Sequence, residues 1–215
     1  VTELGSSDEA AGRSPGGAVI LVTTVGAASG CQAAAAALAC AASEPDRAAL
    51  LIELDDGRAP RPSLIATAGA RELEERLAAH LPGAGAASRG QACRLRLPAD
   101  SAGIDGIAAA LPLARESAGV VHLSPRLLRP VLEHPRIRPT AALLRADLAD
   151  DRALTALAAR DLMERGLRVA VLKRPLAWLA ARRALLGAPG PGGGLPARVL
   201  EPLLRDSPRA RCRRP

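Results

Sequence analysis

The chain has no phenylalanine, tyrosine or asparagine, and a single tryptophan (Trp178), methionine (Met163) and lysine (Lys173). Almost no aromatic face is available for bases to stack on, so recognition of single-stranded nucleic acid by stacking is disfavoured. The four cysteines, Cys31, Cys40, Cys93 and Cys212, show no C-x-x-C spacing, and His80, His122 and His134 fall in no ligand pattern beside them. No structural zinc site is expected from such spacing, and no metal site is assigned. There is no apolar run of about 18 residues of the kind that spans a bilayer. With no secretory leader at the start, the expected setting is the reducing cytoplasm.

What is present is alanine, leucine, arginine, glycine and proline, in a chain of 215 residues and 22.0 kDa that suits one domain with short tails. The formal net charge is +7. Most arginines are scattered among acids, a pattern of solvated faces, and the one basic cluster is the final "RDSPRARCRRP". Its Arg209, Arg211, Arg213 and Arg214 are expected to give a weak, salt-sensitive contact with polyanions such as DNA or an anionic membrane surface. The opening "VTELGSSDEAAGRSPGG" reads as a disordered lead-in over residues 1–17. Residues 18–187 read as the folded domain, and 188–215, beginning in "APGPGGGLP", as a linker and tail.

Within 18–187, short apolar runs alternate with helical stretches, the pattern of a mostly parallel central sheet flanked by helices in three α/β/α layers. Strands are predicted over Ala18 to Val25, Ala48 to Asp55, Ala92 to Pro98, Ala118 to Pro125, Thr140 to Asp147 and Leu167 to Arg174. Helices are predicted over Gln32 to Ala42, Ala70 to His80, Ile104 to Glu116, Arg126 to Glu133 and Asp151 to Arg165, followed by an amphipathic helix ending at Gly187. The helix from Asp151 follows from the spacing of Leu154, Leu157, Leu162 and Met163, with Gly166 to close it.

The stretch "AVILVTTVGAASGCQAAAAALA" carries the main functional question. A strand, a small-residue turn and a helix aim unpaired amides and the positive end of the helix dipole at one point, which is an anion cradle. Gly26, Ser29, Gly30, Cys31 and Gln32 are the candidate cofactor-binding residues, and the same small residues equally suit a tight connection with no ligand. Cys31 stands at a helix start, which favours thiolate, and His122 is the nearest base in the expected fold. A buried cysteine beside a satisfied histidine is the competing reading. Glu53 and Asp55, two apart on a strand, share one face.

Taken in order, these pieces resemble the MinD/ParA group of P-loop ATPases, nearest its CpaE/TadZ-like and septum-site-determining branch. The resemblance rests on the turn at Gly26 to Gln32, which stands where the family has K-G-G-x-G-K-[ST]. It rests also on "ELDDG" followed by "RPSL" (Arg61 to Leu64), and on "VVHLSP". It implies a nucleotide site whose lysines are missing at Gly26 and Cys31, whose magnesium hydroxyl is replaced by Gln32, and whose metal-orienting carboxylate is replaced by His122. Asp55 stands where the family positions its attacking water, and is the one residue to carry any residual catalysis. The implied function is a non-catalytic or weakly nucleotide-binding protein that acts through a protein partner or a homodimer, with no cofactor expected. Two alternatives stay open: a low-turnover ATPase holding Mg-ATP in an atypical loop, and a basic-tailed adaptor on DNA or membrane.

Overall fold

The computed structural model describes residues 17–26, 29–44, 46–54, 66–114, 117–147, 152–174, 176–185 and 195–204. Its strands are β1 (Val19–Thr24), β2 (Ala49–Leu54), β3 (Gly85–Arg89), β4 (Ala92–Leu97), β5 (Gly119–His122), β6 (Ala141–Arg145) and β7 (Arg168–Leu172). The helices are α1 (Cys31–Ala42), α2 (Ala68–His80), α3 (Ser101–Ala110), α4 (Pro125–Glu133), α5 (Arg152–Glu164), α6 (Trp178–Leu185) and α7 (Ala197–Leu204), with a 3-10 turn at Leu111–Ala114. The strands form one sheet in the order β3-β4-β2-β5-β1-β6-β7, parallel throughout except for β3. The expected fold class is the observed one.

The near-continuous apolar strands reflect burial on both faces. Leu50, Ile52, Val121 and Leu144 pack under α2 to α5, against Leu77, Ile107, Val131 and Leu162. Their neighbours Ile20, Leu51, Val120 and Leu143 face α1, α6 and α7. Every α1 residue but Gln32 is buried, because α1 lies between the sheet and α6. A helix enclosed on all sides must be thin, and its alanines meet that requirement while keeping the best helix propensity.

Three details differ from the sequence expectation. The antiparallel edge strand β3 was not foreseen: "GAASR" has no β-branched or aromatic residue, and it is held by a hairpin whose first turn residue, Gly90, has φ +61°. The helix α5 forms where predicted, but Leu154, Leu157 and Met163 are exposed. Its buried side runs instead through Thr155 and Leu162, with Ala158 and Ala159 packed alongside. Finally, Leu195, Val199 and Leu203 are buried on the α1 face, so packed structure continues beyond Gly187.

Candidate functional site

Strand β1 lies between β5 and β6, and the chain crosses from one side of it to the other between those two strands. Ligands of open α/β sheets bind outside the carboxyl ends of the strands at such a reversal. The turn after β1 is therefore at the position where a site belongs. Gly26 and Gly30 have φ of +67° and +77°, the left-handed region that glycine enters without strain. Gly30 caps α1 with no side-chain hydrogen bond, and its carbonyl accepts the first helical bond, from Ala34 N at 3.1 Å. Gly26, Ser29 and Gly30 are exposed, Gln32 is half-buried and Cys31 is buried. The first amides of a helix have no intrahelical acceptor, which is what an anion cradle at this position would use. None of residues 26–32 carries a charge.

Among the described residues, the charge that acts on Cys31 comes from one that the sequence did not single out. Arg145, the last residue of β6, is paired in register with Thr24 and has no exposed surface. It lies on the α1 face, two residues beyond Leu143. Its Nη1 donates to the carbonyls of Ala146 and, at 3.1 Å, Leu172, and its Nη2 donates to Asp147. Its positive charge reaches Cys31 and pulls the thiol pKa down, but burial outweighs that pull and pushes the thiol up to about 12. Of the two readings of Cys31, this favours the buried cysteine: the charge of Arg145 does not offset the loss of water. The Cys31 thiol stays protonated at neutral pH and is no nucleophile there.

His122 ends β5 in register with Val22 on one side and Glu53 on the other, half-buried on the α1 face. Glu53 is fully buried and is engaged by β4: Arg94 Nη2 donates to Oε1 at 2.9 Å and Arg96 Nε to Oε2 at 3.3 Å. It is thus a structural ion-pair carboxylate. The sequence held a usable signal for this arrangement, since an R-x-R on one strand and a glutamate on its neighbour meet on one face when the register aligns them. Asp55, the "RPSL" segment and the arginines from Arg205 onward lie outside the described residues. Among the described residues no group of three His, Cys, Asp or Glu side chains is arranged to hold a metal ion, and no helix is long and apolar enough to cross a membrane.

A solved structure described as a ParA family ATPase from Chlorobium tepidum TLS matches this chain with a TM-score of 0.51 and 11% identity, over 80% of this chain and 90% of that one. At that identity the likeness concerns the fold, a mostly parallel ParA-like α/β sheet with flanking helices. No protein-family profile and no curated protein matches the sequence.

Proposed function

We propose that this protein is a non-catalytic or weakly nucleotide-binding member of the MinD/ParA-like P-loop ATPases that works by binding another protein or a second copy of itself. The observation that carries the reading is the state of Arg145. Phosphoryl transfer requires positive charge placed on the phosphates and moved with them. Here the turn is uncharged, and the buried Arg145 beside it donates its terminal nitrogens to Asp147 and two carbonyls of its own chain. His122 and Gln32 supply neither a carboxylate nor a hydroxyl for a metal's water shell. What remains for a nucleotide is backbone amides and a helix dipole, enough for weak phosphate binding.

The nearest branch by its eroded motifs is the CpaE/TadZ-like and septum-site-determining one, whose role is to position a secretion, pilus or division assembly. That role follows from the resemblance alone. The terminal arginines would add a salt-sensitive contact with polyanions, to be lost when Arg209, Arg211, Arg213 and Arg214 are replaced by glutamine. Titration calorimetry with Mg-ATP followed by a phosphate-release assay tests the central reading. Weak or no binding without turnover is expected; saturable binding with phosphate release above a protein-free blank would establish the low-turnover ATPase instead.

A further inference from the structure

On the α1 face of the sheet, away from the turn after β1, three arginines gather around one carboxylate. Arg94 and Arg96 of β4 share a face with Ala92, and Arg89 of β3 joins them because it is the register partner of Ala92. Glu53 answers two of the three, giving one oxygen to Arg94 and the other to Arg96. Glu53 is 0% and Arg94 5% exposed, while Arg89 and Arg96 are half-buried. Arg94 Nε is buried with no hydrogen-bond partner. Beside it, Arg89 and Arg94 line a recess closed by Ala36, Cys40, Ala184 and Leu185, with room for about one water molecule.

Glu53 is shared between Arg94 and Arg96, so Arg89 brings a further positive charge beside a carboxylate that is already engaged. In a medium of low dielectric constant that excess is costly, and it grows as the groups approach one another. The strain registers on Arg89, whose guanidinium is held below its ordinary value by burial first and then by the charges of Arg94 and Arg96. The thiol in the recess does not supply the missing charge, since burial pushes Cys40 up and keeps it neutral.

We propose that this recess binds a single halide-sized anion, chloride in solution, between Arg89 and Arg94, with Arg96 and Glu53 as the flanking ion pair. A monatomic anion matches both requirements at once. It accepts from the unpartnered Arg94 Nε and from Arg89 without needing donors of fixed geometry, and the recess, too small for a phosphate or a carboxylate side chain, admits it by a shift of the half-buried Arg89 side chain. The proposal is independent of whether the turn after β1 binds nucleotide.

The test uses the full chain melted at fixed ionic strength in sodium chloride against sodium gluconate. Chloride at several times its dissociation constant is expected to raise the melting temperature by about 2–4 °C over gluconate. The Arg89→Gln variant, which removes a half-buried charge and leaves the Glu53 pairs in place, is expected to lose that difference. Crystals of the unmodified protein soaked in bromide provide a readout that needs no variant, an anomalous peak within hydrogen-bond distance of Arg94 Nε. Equal melting in the two salts, or bromide-soaked crystals with no peak at the recess, would overturn the proposal. So would a chloride effect that persists in Arg89→Gln.

Discussion

Arg145 and Asp147 form an ion pair in which the arginine side chain is wholly buried and the aspartate is 40% exposed. The pair fixes the far wall of the turn after β1, because the Arg145 carbonyl also accepts from Val25 N at 2.8 Å. The asymmetry of exposure sets what each partner contributes. Removing the carboxylate leaves the buried cation on the neutral carbonyls of Ala146 and Leu172 with no counter-charge from Asp147, whereas removing the cation leaves a carboxylate that water still reaches.

The Asp147→Ala variant is therefore expected to be less stable than Arg145→Met. Discounting for the exposure of Asp147, the first should cost about 1–3 kcal/mol, and the second should lie closer to neutral because methionine refills the site with apolar volume. Urea unfolding of the two variants beside the parent checks the order.

The buried thiols make a pH prediction. Cys31 and Cys93 are each raised to about 12, from an ordinary value of 9.0. Burial is the main cause in both, and for Cys93 the charge of Glu74 adds to it. A raised folded-state value means the native protein holds protons that the unfolded chain releases. Stability from this source is complete below pH 9 and is lost as pH rises toward 12. Cys31→Ala should flatten part of that loss, measured as the slope of unfolding free energy between pH 9 and 11. In the native parent at pH 8, iodoacetamide should leave Cys31 unlabelled.

Restoring the missing loop residues should not restore an ATPase. In Cys31→Lys with Gln32→Thr, the new ammonium starts from a position that is buried and already feels the charge of Arg145. Like charges in a site of low dielectric constant repel, so the variant should melt below the parent and release no phosphate above a blank. Clear turnover by the double variant would show that the turn retains a working metal shell.

Two glycines should lose stability for different reasons when bulk is added. At Gly30 a Cβ would meet nothing within 4 Å, so the expected cost of Gly30→Val, about 1–3 kcal/mol, comes from φ +77° and not from displacement of α1. At Gly103 a Cβ would collide with the Pro98 carbonyl oxygen, which is backbone and has little freedom to move. Gly103→Ala should accordingly lower the melting temperature more than Gly30→Val, despite adding a smaller side chain.

The sequence by itself determined the alternation of elements, and so the layered fold. The periods of 2 and 3.6 are local properties of a dozen residues, and burial on both sheet faces makes the strand runs apolar end to end. It also determined that the turn after β1 has no charge, since residues 26–32 can be read one by one. Tertiary structure decided what lies beside that turn. Arg145 is 114 positions from Cys31 in the chain, numbered 145 against 31, and only the order β1-β6-β7 brings its charge to the start of α1. The same holds for the helix α5, where spacing foretold a helix but not that Leu154 and Leu157 would face outward. It holds for β3, whose small residues have no strand preference and are ordered by their partner β4. Glu53 became a structural ion pair because the β2–β4 register sets it opposite Arg96, with Arg94 on the same face. Pairing of distant strands is a property of the whole chain, because the free energy that selects it comes from burying all the faces together and not from any one segment.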